Sequence, residues 1–346
     1  MSIVLAHSTA RLYHRAPYRP VSEQSYPPRS KRLRTGPCDT ALVQDARIKL
    51  ARYGVPPELL ERVHVLVSEA GERRLSDGVI CHVLRGTMPA GSIIPLQGGI
   101  CVTDIRQTAL NAARDLSFRE LVEYYYELCG AYELPFEETD GYRERPALTS
   151  TAELARYFEK TGRRHGVELA RRAIRYVRDG ARSPMETAFV MMLVMPKREG
   201  GLGIRGLEMD YRIEVNARAR HLTARSCFYC DVYLPRIHLD IEYHGFFHDD
   251  EMRAVEDDER ERALRAMGHG VMAIRRWGFF NRAVFGRFML CIRRKMGISP
   301  AALPDEFELR QEELRRFVLR HAAKVVQSAW APSTLGGFAV VVENLE

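Results

Sequence analysis

Residues 227–248 read CFYCDVYLPRIHLDIEYHGFFH. Two runs suited to β-strands flank Pro235 and Arg236, a pair suited to a tight turn, so the stretch is expected to fold as a hairpin. In the second run Ile237, Leu239, Ile241 and Tyr243 alternate with His238, Asp240, Glu242 and His244. A period of two puts the apolar set on one face and the polar set on the other. Asp231, on the first run, then falls within direct or diagonal cross-strand reach of residues 240 to 242, and so beside Glu242. Converging carboxylates repel unless a cation or a proton compensates them. Hard oxygen donors favour Mg2+ or Mn2+ over zinc. Such an ion can polarise a phosphodiester and lower the pKa of a bound water, which is the chemistry of a hydrolytic nuclease.

Working outward, Ser183-Pro184-Met185-Glu186 starts a helix that runs through Leu193. By spacing alone Glu186 is a capping-box glutamate with proline at the first helical position. A Gly-rich loop over 200–206 leads to strands expected near 209–215 and 219–223. After the hairpin come a long charged helix over 249–267, a strand over 271–274 and a helix over 282–296. The outline is a mixed α/β core. Gly201, Gly203 and Gly206 satisfy G-x-G-x-x-G, but they follow a helix rather than a strand and open no helix, which argues against dinucleotide binding. His238, His244 and His248 match no zinc template. Between Arg275 and Lys295 there is no acidic residue, while Arg275, Arg276, Arg282 and Arg287 alternate with aromatics. The arginines are expected to track phosphates and most of the aromatics to pack inward.

Taken in order, Ser183 to Glu186, Asp231, Glu242 with Gly245 and His248, then Asp257, Arg260, Leu264 and Gly268, the stretch resembles a bacterial domain family related to very-short-patch-repair (Vsr-like) endonucleases of the PD-(D/E)XK superfamily. The resemblance implies a restriction-endonuclease-like mixed sheet flanked by helices. It also implies Glu186, Asp231 and Glu242 as metal ligands binding Mg2+ or Mn2+, and His248 as a proton-transfer or water-orienting residue. Asp257 and Arg260 would be a supporting pair on the long helix. Many superfamily members carry lysine two positions after the second acid; here it is His244, which can orient water but supplies neither a fixed positive charge nor a carboxylate. Residues 60–180 resemble, more weakly, the middle portion of proteins related to the AbiEi abortive-infection antitoxin.

The rest of the chain is expected to be modular, since 346 residues can support two cores. Residues 1–40 hold seven Arg and Lys against Glu23 and Asp39, so +5 of the chain's +7 sits there. That segment reads as a disordered basic tail. Residues 41–148 read as a smaller α+β domain around a small antiparallel sheet, 149–180 as a helical hairpin or linker, 181–298 as the nuclease-like domain and 299–346 as a helix with a terminal strand or tail. Seven scattered cysteines, Cys227 and Cys230 among them, do not suit a secreted disulfide framework. With no long apolar run and no signal-peptide pattern, the expectation is a cytoplasmic protein without a membrane partner. The leading function is a metal-dependent DNA endonuclease in phage defence or repair. The alternative is a catalytically weak nuclease-fold protein that binds DNA or a toxin or other defence-system partner in an antitoxin-like regulatory role. A third reading, a structural RNA-binding protein, would show salt-sensitive RNA affinity with no need of metal.

Overall fold

The computed structural model describes residues 2–20, 35, 37–73, 77–84, 87–136, 141–244 and 251–329, with backbone alone at 244, 251–254 and 321–329. In the first part of the chain, strands β1 (Ile3–Leu5), β2 (Val63–Val67), β3 (Val79–Val83), β4 (Ile93–Pro95) and β5 (Ile100–Thr103) form one sheet with helices α1 (His7–Arg15) and α2 (Thr40–Arg52). Helices α3 (Ile105–Ala112) and α4 (Phe118–Cys129) follow, then a two-residue ribbon of β6 (Tyr132–Glu133) and β7 (Arg143–Glu144), then α5 (Thr151–Lys160) and α6 (Val167–Ile174). The last part runs α7 (Pro184–Val194), β8 (Glu208–Glu214), β9 (Cys227–Leu234), β10 (Leu239–His244), α8 (Glu251–Ala266), β11 (Gly270–Arg275), α9 (Arg276–Phe280), α10 (Arg282–Lys295) and α11 (Phe307–Ala329). The protein is mixed α/β, with sheets flanked by helices.

The first sheet overturns part of the sequence reading. Its order is β3-β2-β1-β5-β4, so Ile3–Leu5, expected to lie in a disordered tail, is the central strand. All three residues are buried, and they pair antiparallel with β2 and parallel with β5. The three-residue apolar run is short enough to be masked by the arginines around it, yet burying it on both faces outweighs the local polarity. Residues 21–34 of that tail lie outside the described residues. The sheet is also mixed rather than antiparallel, because β1 separates β2 from β5 and β2 runs parallel to β3.

A single hydrophobic core runs from α3 through α6, α7 and one face of β9 and β10 to α11. The helical hairpin expected as a linker is therefore packed into the same core as the nuclease-like part. Two part-buried polar contacts tie α1 to the helical layer: His7 Nδ1 to Asp115 at 3.0 Å, and Arg15 Nε to Glu127 at 2.7 Å. At the centre lies α7, whose residues from Thr187 to Val194 are all buried. Beyond Thr187 the helix is apolar all round and has no solvent face to offer, and α4 and α11 pack on it. The Gly-rich loop after it is explained by that packing. A Cβ on Gly200 would lie 2.1 Å from the Arg310 carbonyl of α11, and one on Gly201 would lie 2.2 Å from the Met195 carbonyl. These two glycines serve close backbone approach, whereas Gly203 and Gly206 stand at positive φ without such crowding.

The second sheet has the order β11-β10-β9-β8, with β8, β9 and β10 antiparallel and β11 returning parallel to β10 after α8. The strand expected over 219–223 is a turn, where the Asn216 side chain accepts from the Arg218 N–H. The hairpin turn is a short 3-10 segment, Pro235–Ile237, ending on His238 at φ 47°. No helix among the described residues is long and apolar enough to cross a membrane. Residues 330–346, where a terminal strand or tail was expected, lie outside the described residues.

Candidate active site

The sheet presents its acids at the β9–β10 pair. The ladder pairs Asp240 with Tyr233 and Ile241 with Val232. At the next step the carboxylate of Asp231 takes over, its Oδ2 accepting the Tyr243 N–H at 3.0 Å. On the other side of β9 the pairing with β8 is interrupted at Asp210, which is held at φ 50°. Such a local break re-aims a side chain away from strict alternation.

Val232, Leu234, Leu239 and Ile241 point to the main core, and Cys230 and Tyr233 to a smaller cluster beneath α8 with Ala263 and Leu264. Both faces of β10 are thus covered. The polar face is not solvated as simple alternation implies: Asp240 is fully buried and Glu242 is 9% exposed. What makes this tolerable is Arg260 on α8. Its Nη2 donates to Asp240 Oδ2 at 2.9 Å, to Glu242 Oε1 and to the Tyr229 carbonyl at 2.7 Å. Arg260 was expected to pair with Asp257. Asp257 instead is exposed: positions three apart are neighbours on a helix, but the Arg260 guanidinium is turned toward the carboxylates of β10.

One guanidinium does not neutralise the cluster. Burial first, then the charge of Glu242, pushes the Asp231 carboxyl up to about 7 despite the Tyr243 hydrogen bond. The same two causes, in the same order, push Asp240 upward, and its Oδ1 is buried without a hydrogen-bond partner. Cys230 beside it is driven up by burial and by Asp240. Glu186, on the first turn of α7, is raised by burial against the hydrogen bonds it accepts from Arg182 N and Ser183 Oγ, both 2.9 Å. Ser183 in turn caps the helix by accepting from Glu186 N at 3.1 Å. Only half of the capping box implied by the spacing is formed, since the Glu186 carboxylate accepts from the Arg182 N–H and the Ser183 hydroxyl instead of the Ser183 N–H; it also adds to the charge that raises Asp231.

The charges of Glu242 and Glu186 thus both raise Asp231, and the sequence had singled out these three acids. Asp240 was missed as a site residue although its alternation with Glu242 was legible. The backbone at His244 closes β10, and His248 lies outside the described residues. Hard oxygen donors with uncompensated charge suit a divalent cation. As they stand, no three His, Cys, Asp or Glu side chains among the described residues converge closely enough to hold one. Of the expected nucleic-acid surface, Arg275, Arg282 and Arg287 are exposed, and Arg276 is half-buried over the Phe280 ring. Arg282 lies 3.9 Å from Glu312. Phe279 and Phe285 pack in the core, while Trp277 is 66% exposed beside these arginines.

Comparison of the chain with protein-family models, with curated proteins and with solved structures found no match.

Proposed function

We propose that residues 181–298 form a divalent-metal-dependent DNA endonuclease of the PD-(D/E)XK type. The observation that supports it most is the gathering of buried acids on β9 and β10, where burial and then the charge of Glu242 raise both Asp231 and Asp240. Like charges collected at a cost to stability are what a site for a cation or an acid–base reaction requires. Asp231, Glu242 and Glu186 would hold Mg2+ or Mn2+. A bound ion would supply charge neutralisation at the scissile phosphate and a water acidic enough to attack it. The chain's own contribution is to orient Asp231 through the Tyr243 N–H, to hold Glu242 through Arg260 and to track the DNA backbone with Arg275, Arg276, Arg282 and Arg287. Engaging a metal through Glu242 requires Arg260 to share or release that carboxylate.

Arg260 also supports a second reading. A guanidinium already seated on Glu242 and Asp240 supplies part of the positive charge a metal would bring, which suits a nuclease-fold protein that binds DNA or a toxin partner without cutting. Nicking of supercoiled plasmid and cleavage of single-stranded DNA, each with Mg2+, Mn2+ or EDTA, separate the two. Metal-dependent cleavage lost in Asp231→Ala supports the enzyme; salt-sensitive DNA binding with no cleavage under any condition overturns it in favour of the binding protein.

A further inference from the structure

A cavity of about 600 Å³ lies between the first sheet and the helical layer, remote in sequence from the acids of β9 and β10. Its walls come from α1, β2 and its preceding turn, α4 and the segment after β6, with Arg320 of α11 at the rim. Four arginines and three glutamates line it, and the acids are already engaged. Glu127 binds Arg15, Glu123 binds Arg320, and Glu120 accepts from the Ser117 N–H at 2.8 Å as part of the α4 capping box. Arg11 and Arg62 have no carboxylate partner among the described residues, and Ser8 and His64 line the cavity with them. Arg11 stands 5.8 Å from the centre of the Tyr124 ring, whose hydroxyl is buried without a hydrogen-bond partner. The apolar part of the wall is formed by Leu12, Leu59, Leu134 and Phe136, with Leu59 41% exposed.

We propose that this cavity binds a nucleotide, its phosphate held by Arg11 and Arg62 and its base against the apolar wall of Leu59 and Phe136. The volume lies in the range of small-ligand sites. Two unpaired guanidiniums offer forked donors that match phosphate oxygens. An inorganic anion would leave the apolar wall unused, and a purely apolar ligand would leave both guanidiniums unanswered. His64 also lines the cavity: its Nδ1 pairs with His82 Nε2 at 2.9 Å, which leaves Nε2 as its other polar atom.

The test is calorimetric titration of the full chain with each of the four common nucleoside monophosphates and the corresponding diphosphates, beside inorganic phosphate and adenosine. At least one nucleotide is expected to bind saturably at a single site, with phosphate and adenosine each at least about tenfold weaker. The double variant R11Q/R62Q should lose about tenfold or more in affinity. Should it misfold by circular dichroism, the exposed-site variant R62Q alone is read instead and should lose about threefold or more. Absence of saturable nucleotide binding up to about 1 mM, affinity unchanged in the variants, or phosphate binding as tightly as the nucleotide would each overturn the proposal.

Discussion

Arg260, Asp240 and Glu242 form a cluster in which one guanidinium serves two carboxylates, one of them fully buried. Removing the cation strands both acids. Arg260→Ala should cost roughly 3–5 kcal/mol at pH 8, measured by urea unfolding, and less at pH 5, where the acids take up protons. Adding Asp240→Asn should recover part of the loss; no recovery would place the stabilisation elsewhere. Asp231 carries the opposite sign. Its carboxyl is raised to about 7, so the native state holds a proton that the unfolded chain releases near pH 4, and stability falls as pH rises between those values. Asp231→Asn, which can still accept from the Tyr243 N–H, should therefore raise the melting temperature at pH 8 and change it little at pH 4.5. Under the proposed function, millimolar Mg2+ should stabilise the wild type and leave this variant unmoved. Asp231 and Glu242 were legible from period-two alternation across a tight turn. The partner of Arg260 was not, because spacing along α8 says which residues share a helix face but not which strand that face meets.

Elements show the same division. The Ser117–Glu120 and Ser150–Glu153 spacings mark the starts of α4 and α5, and both serines accept from the glutamate N–H. Capping is local chemistry and so readable. The hairpin strand over 227–234 and the return strand near 271–274 were also legible, being longer apolar or alternating runs. The strand β1 was not. Three apolar residues amid arginines carry too little pattern, and the central place of β1 depends on partners at 63–67 and 100–103. Leu5, with no exposed surface, gives the measurement: Leu5→Ala should cost about 2–5 kcal/mol, the range for a truncated core leucine, in a cooperative unfolding transition. A cost under about 0.5 kcal/mol, as at a surface site, would restore the reading of that segment as a tail.

At the scale of the molecule, the junction between the first sheet and the helical core is rich in buried histidine. His7 stacks on His82 with ring centres 3.6 Å apart, and His14 donates from Nε2 to the Thr103 carbonyl at 2.8 Å. Burial, acting first, holds His14 down to about 3. It stays neutral in the fold and takes up a proton when unfolded below pH 6.5, so its stabilisation is complete above that pH and is lost as pH falls. Since Asp231 and Asp240 push the other way, the wild type is best compared with His14→Gln. The variant's deficit at pH 7 should shrink by roughly 3 kcal/mol by pH 4.5. Parallel pH profiles would mean that His14 is not held neutral by burial. Net charge had suggested that the basic N-terminal segment stood apart from the fold; composition measures how much charge a segment carries and is silent on which of its residues lie inside.

The position of β1 also sets a timetable for the chain as it is made. Ile3–Leu5 leaves the ribosome nearly a hundred residues ahead of Ile100–Thr103, its parallel neighbour. At ordinary elongation rates that is a wait of roughly 5–20 s with one edge of an apolar strand open, the other edge being open too until Val63–Val67 emerges. A nascent chain in that interval is exposed to pairing with its neighbours on the same message. Yield of native protein should accordingly fall as synthesis or refolding is made more crowded, and should recover when a holdase occupies the waiting strand.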